Sequence, residues 1–355
     1  MSDQPVLDAK LQIVTPVFCA GADQNGASEI RPFSLRGALR WWYRAIDGDF
    51  AKWEPFVFGA TTGTGHSSPV ALQVRRWVQD TESLEVRLNP RRAEESGAAY
   101  LGYTFYLSNN DRRAILPEQG TVPVRLAWQW QPRERQNQER VRHAWAASLW
   151  LFGHLGGLGS RSRRGYGTLA LTQWSGWPEC AHLPPAHGAA SPQEWKQRFQ
   201  QGWEKIRQWF HPPIDAEHQH LGQELNVWLW KEGFASWDKA LDKVGDELQN
   251  FRRSPDFHKP ELLAAFGLPI RFRHHPASFA SPKQYNRAAS LLQIRVIPIN
   301  GKYHPLVWRA DGPLVPSQKP PKLEYKGNYS EQRQPPTDWD RALNQFLKKI
   351  QDSCV

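Results

Sequence analysis

The chain has 355 residues, 40% of them hydrophobic and 23% charged, with a net charge of +10. This length fits about two domains, and the apolar content excludes a largely disordered chain. No apolar run reaches the ~18 residues of a membrane span, and Asp3, Asp8, Lys10 and Asp23 break up any leader, so a cytoplasmic protein with no membrane partner is expected.

Residues 9–15 (AKLQIVT) alternate with period two and predict a strand ended by Thr15-Pro16. Residues 34–47 carry Leu35, Leu39, Trp42 and Ile46 at helical spacing, with Ser34 as the expected N-cap. Arg36, Arg40 and Arg44 form a second stripe on the same helix. Strands are predicted at 69–78 and 121–130, and residues 84–88 and 100–107 (YLGYTFYL) read together as a hairpin or an insertion. A long helix over 134–155 buries Val141, Trp145, Ser148, Phe152 and Leu155, and a strand follows at 167–173. The order β-α-β-β-α-β is that of a ferredoxin-like domain, which places the first unit at 1–175. Residues 176–192, rich in Pro, Gly and Ala, read as a linker. In the remainder, 193–355, helices are predicted at 192–210, 236–251 and 337–351, and strands at 268–273, 290–297 and 303–309. Residues 311–336 read as an exposed loop. The fold class is thus α+β, with tandem ferredoxin-like domains of which the second is degenerate and carries helical insertions.

Positive charge is spread along the chain and not confined to a tail. Residues 1–175 hold 19 Arg and 2 Lys against 16 acidic residues. That balance favours a polyanionic partner, and Arg suits one because its guanidinium both forks onto phosphate and stacks on bases. The densest signal is 156–167, GGLGSRSRRGYG: five glycines around Arg161, Arg163 and Arg164. Glycines such as Gly157 and Gly159 let backbone N–H groups approach a phosphate, and Tyr166 is placed to stack on a base. The segment lacks GK[ST] and follows a helix, so it is neither a nucleotide-triphosphate loop nor a dinucleotide fingerprint. The preceding segment 29–44, EIRPFSLRGALRWWYR, adds Arg31, Arg36, Arg40 and Arg44. Gly37 there suggests close approach by another backbone, and Trp41 either packs inward or stacks on a base.

Together, SLRGALRWWYRA, FVFGA at 56–60, YLGY at 100–103 and GGLGSRSRRGYG resemble the RAMP superfamily of CRISPR proteins, and within it the first Cmr subunits of type III-B RNA-guided effector complexes. GLPIRFR at 267–273 and NRAASLLQIRVI at 286–297 match more loosely. The resemblance implies paired ferredoxin-like domains with the glycine-rich segment against RNA. It also implies guide RNA, target RNA and the other effector subunits as partners, a position near the 3′ end of the guide, no cofactor, and no role in target cleavage. The chain departs from the family pattern at Tyr166, where Phe is frequent, and at Leu291, where Pro is usual, which loosens any carry-over around Arg287.

Two other classes compete. A metal-independent endoribonuclease processing guide RNA needs a general acid and base, for which His143 and His154 are the candidates, while Asp23, in the loop after the first strand, is a candidate base for a target-cleaving subunit. An assembly protein without RNA contact would use tryptophans such as Trp195, Trp203, Trp209, Trp228, Trp230 and Trp237 as interface. Metal ligation is poorly supported, since His218 with His220 and His274 with His275 lack partners at ligand spacing. Cys19, Cys180 and Cys354 are scattered without a CxxC and read as small apolar fillers.

Overall fold

A computed structural model of the chain describes residues 6–21, 28–61, 65–75, 96–106, 114–117, 120–214, 217–257, 260–271, 279–282, 287–315, 323–326, 330–333 and 337–355. The 84–88 part of the expected hairpin or insertion, Asp23, and His274 with His275 lie outside them.

The first unit is built from β1 (Leu7–Ile13), α1 (Pro32–Ile46), α2 (Phe50–Phe58), β2 (Val70–Val74), α3 (Gly97–Leu101), β3 (Thr121–Trp128), α4 (Arg135–Leu155) and β4 (Leu169–Ser175). The sheet order is β2-β3-β1-β4, all antiparallel, which is the order a ferredoxin-like β-α-β-β-α-β chain produces. Alternation drives it: β3 buries Val122, Val124, Leu126 and Trp128, and β1 buries Leu7, Ala9, Leu11 and Ile13. The opposite face presents Asp8, Lys10, Gln12 and Arg125, with Asp8 and Arg125 in a two-pronged ion pair at 2.7 Å. The predicted face of α4 is buried, and so are Leu149, Trp150, Leu151 and His154, because α6 (Pro192–Trp209) covers its other side.

Four local expectations change. α1 begins at Pro32, not Ser34; Arg31 is the N-cap, because Pro at the first helical position presets the backbone angle. α2 was not foreseen. Residues 97–106 are helical, with α3 followed by a 3-10 turn over Tyr103–Tyr106, and do not form a hairpin. Residues 176–192 are packed down: α5 (Glu179–His182) lies here, Trp177, Leu183, Ala186 and Ala189 are buried, and Trp150 Nε1 donates to Pro184 O at 3.1 Å.

The second half holds β5 (Val227–Leu229), α7 (Trp237–Arg252), β6 (Ile270–Arg271), β7 (Phe279–Pro282), β8 (Leu292–Ile299), β9 (Lys302–Arg309), β10 (Leu323–Lys326), β11 (Ser330–Arg333) and α8 (Arg341–Ile350). One sheet has the order β5-β9-β8. After α8 the chain returns to β5 through a Trp230–Cys354 bridge and a Val355 N–H to Leu229 O bond of 2.9 Å. The succession β5-α7-β8-β9-α8-return is therefore a second ferredoxin-like unit with its last strand reduced to a bridge. Between its elements sits a separate sheet, β11-β10-β7-β6, partly within the expected loop 311–336.

One apolar core runs through both halves. Trp195, Trp203 and Trp230 belong to it, while Trp209, Trp228 and Trp237 are partly buried against it. α3 lies on α7 with no side chains between the backbones: a Cβ on Gly97 would run into Asp242 O, and one on Gly245 into Gly97 O. Asp242 fastens the contact by accepting from Ser96 Oγ and, at 3.0 Å, from the Ala98 N–H.

Candidate nucleic-acid interface

The glycine-rich segment leaves α4 at Gly156 and returns as β4, pinned at its base to the chain after β1. Thr15 Oγ1 donates to Gly165 O at 2.8 Å, and the Gly167 N–H donates to Pro16 O at 2.8 Å. Gly157 bridges Thr168, and the Leu158 N–H meets Gly167 O at 2.9 Å. The tip rests on Phe18, whose carbonyl accepts the Ser160 N–H at 2.7 Å. Gly159 takes φ +85°, where a side chain would strike that carbonyl, so glycine is required there. Gly159 and Ser160 are exposed.

The three arginines of the segment part company. Arg161 at the tip takes φ +61°, uncommon outside glycine, and lays its guanidinium 4.4 Å from the ring of Tyr103, which is 45% exposed. Arg163 donates to Gln219 Oε1 at 2.9 Å and lies over Trp41, 5.7 Å from its ring centre. Burial holds its pKa below the usual value. Arg164 turns into the second half and donates to Phe266 O, and its burial pulls its pKa down to about 10. The backbone follows: Arg164 bridges Ile294 in parallel, and the Ile294 N–H donates to Arg163 O at 3.1 Å. Residues 163–164 thereby extend the β5-β9-β8 sheet at its β8 edge.

Tyr166 corrects its expectation. It is fully buried, its hydroxyl donates to Ala98 O at 3.0 Å, and its ring packs edge-on against Phe18 and Phe105, so it offers no face to a base. The glycines below the tip likewise serve internal packing: a Cβ on Gly165 would meet Leu241, and one on Gly167 the Leu158 carbonyl.

The arginines of α1 are held too. Glu54 on α2 is 4% exposed and accepts from Arg40 Nε and Arg44 Nη2, each at 2.7 Å. Burial alone would raise the Glu54 pKa; the hydrogen bonds from Arg44 and Arg40 outweigh it and hold it below the usual carboxylate range. Both guanidiniums keep solvent-facing area, 35% and 45% of the side chain. Arg36 instead reaches Val70 O at 3.4 Å and lies over Trp145, and burial, then Arg40, lowers its pKa. Arg31 bonds Ala20 O at 3.4 Å and pairs with Glu29 at 3.6 Å. Gly37 is exposed with open space around it, and Phe33, one turn earlier, is 82% exposed. Trp41 packs against Trp42 and Trp308 and meets the segment through Arg163. α1 and the glycine-rich segment therefore touch, although their six arginines do not form one free stripe.

Three further residues border the surface: Tyr100 and Tyr103, the two ends of YLGY, and Arg252, which lies in no motif. Arg252, at the end of α7, donates to Tyr100 Oη at 2.6 Å. Nothing in its spacing marks it, since it meets the tyrosine only through the seam between the halves.

The acid–base candidates are occupied. His154 is buried; its Nδ1 faces Trp150 O at 2.7 Å and its Nε2 accepts the Ala186 N–H at 2.9 Å. Burial brings its pKa down to about 4, against the opposing bond to Trp150. It is a core histidine and not a surface acid or base. His143 stacks on Trp209 with ring centres 4.2 Å apart and is lowered to about 4, chiefly by burial. No group of three or more metal-ligating side chains occurs among the described residues, and among them no helix is long and apolar enough to cross a membrane.

Residues 10–170 match the RAMP superfamily model. Two curated relatives come from Pyrococcus furiosus. CRISPR system Cmr subunit Cmr1-2 is 27% identical over 45% of this chain and 92% of its own length. Cmr subunit Cmr1-1 is 29% identical over 41% of this chain, which spans less than half, 42%, of that relative. In overall fold the chain is similar to apo Cmr1 from P. furiosus, with a TM-score of 0.56, 17% identity and 96% of each chain covered. It is also similar to a chain of the type III-B Cmr-beta complex bound to cognate target RNA, with a TM-score of 0.61, 12% identity and coverage of 98% and 99%. Over residues 10–170 this chain is thus similar to the RAMP superfamily, and in overall fold the chain, with its two ferredoxin-like units, is similar to Cmr1.

Proposed function

We propose that this chain is an RNA-holding, non-catalytic subunit of a type III-B CRISPR effector, gripping guide or target RNA through its backbone near the guide 3′ end. The observation that carries the reading is the tip of the glycine-rich segment, where Gly159 and Ser160 are exposed, Ser160 is fixed on Phe18, and the half-buried Arg161 lies over the exposed ring of Tyr103. Base pairing between guide and target reads the sequence, so the protein need supply only cations, amides and shape. The open face of the first sheet carries Asp8, Lys10, Gln12 and Arg125 and supports no stacking platform of the RNA-recognition-motif kind. The grip falls instead to the tip and to the exposed parts of Arg31, Arg36, Arg40 and Arg44, with Gly157 shaping the turn.

The occupied state of His154 favours holding over cleavage. Purified chain incubated with labelled guide and target RNA is expected to retain the RNA, less so as salt rises, without shortening it. Cuts ending in a cyclic phosphate would replace this reading with the nuclease. Co-purification with partner subunits and no RNA retention would replace it with pure assembly.

A further inference from the structure

Three guanidiniums and two tyrosines gather where the two halves meet. Arg161 lies 4.4 Å over Tyr103, and Arg252 Nη1 sits 2.6 Å from Tyr100 Oη. Arg164 interacts electrostatically with Arg161, Arg252 and both tyrosines. Arg164 Nη1 and Arg252 Nε are buried without a hydrogen-bond partner among the described residues. Like charges gathered with donors unspent mark a place that an anion would complete.

The supports are rigid. Tyr103 opens the 3-10 turn whose Phe105 stacks on Phe18 with ring centres 3.9 Å apart. The same Phe18 carries the tip through the Ser160 N–H. Tyr103 and Arg161 are thus fixed to one residue, and the guanidinium is held over the ring before any ligand arrives. A guanidinium backed by an aromatic ring is a flat, cationic step, to which the face of an unpaired base binds better than a paired one, whose faces are already stacked.

We propose that Tyr103 and Arg161 form a ledge for one unpaired nucleotide of single-stranded RNA, its base stacked on the Arg161 guanidinium and its phosphate directed to Arg164 and Arg252. This rests on the RNA-holding reading and adds to it that the strand is unpaired at this point. Arg252 belongs to the second half, so the ledge is complete only when the halves are docked.

The test uses the full chain and a short single-stranded RNA carrying one 2-aminopurine, compared with the same sequence annealed into a duplex. The wild-type chain is expected to bind the single strand more tightly and to quench the 2-aminopurine. Y103L should weaken binding about 5- to 100-fold and lose the quenching, while Y103F retains both. R161K keeps the charge but not the plane: affinity should fall with little change in salt slope. Tyr103 is 45% exposed, so both of its replacements keep the fold. Wild-type affinity and quenching in Y103L and R161K, or equal binding of the duplex, would overturn the ledge and leave the RNA-holding reading standing. If the wild-type chain retains neither RNA, that reading fails and the ledge with it.

Discussion

Replacing Glu54 by Gln separates the two jobs that the α1 arginines can do. Glu54 is a buried carboxylate that takes hydrogen bonds from both Arg40 and Arg44. Bonds of this charge-assisted kind contribute about 1.5–3 kcal/mol where desolvated. Here the guanidiniums keep 35% and 45% of their side-chain area, so water takes over part of what is lost, and about 1–2 kcal/mol of stability should go. The Glu54 pKa is depressed in the folded chain, so its stabilisation is present above the unfolded value near 4.3 and lost as pH falls through the lower folded one. Urea unfolding at neutral pH should show the deficit in E54Q, and it should shrink as the pH is taken well below 4.3. The substitution also removes a negative charge from between two cations on the proposed RNA side. If Arg40 or Arg44 gains a phosphate, the slope of log affinity against log salt steepens by about 0.7 for single-stranded RNA. An unchanged or shallower slope, with the stability loss present, would show that the pair only fastens α1 to α2.

Three further outcomes follow from the same geometry. Gly97→Ala drives a methyl into the backbone of α7, which cannot yield as a side chain can, and should destabilise the chain by about 3 kcal/mol in urea unfolding; wild-type stability would mean that α3 and α7 are not packed backbone to backbone. His154, neutral and buried, titrates near 4 against about 6.5 unfolded, so acid stability should fall by up to about 3 kcal/mol between those pH values, and less in His154→Gln; identical pH profiles would remove it from the core. Replacing Arg164 by Met should lower both unfolding stability, through the lost bond to Phe266 O, and RNA affinity, whereas replacing Arg161 by Met should lower RNA affinity with little change in unfolding, measured on the same preparations by urea titration and fluorescence anisotropy.

The first sheet was legible because its strands alternate cleanly and α1 and α4 carry uninterrupted apolar faces. The second unit was harder to read. β5 has three residues, and β8 is buried on nearly every side chain, so neither shows a period of two. Residues 100–107 misled because alternating aromatics imitate a strand, whereas Tyr100 and Leu101 end a helix packed on α7. At the site, glycine content signals close approach without saying by what. For Gly165 and Gly167 the neighbour is the chain itself; at Gly159 the close neighbour is again Phe18, but the residue stays exposed. The Glu54 clamp and the Arg252–Tyr100 pair were invisible because they join residues 10 to 152 positions apart with no shared motif.

A surface of guanidiniums around an exposed turn is proposed to hold an RNA backbone. This is tested most directly by titrating full-length chain with single-stranded RNA across salt concentrations, wild type beside the Arg36, Arg161 and Arg163 triple alanine variant. A linear log–log dependence is expected in the wild type, and a shallower slope in the variant, by about 0.7 for each phosphate that the removed cations neutralise. Equal slopes in the two proteins, or RNA retention indifferent to salt, would contradict it.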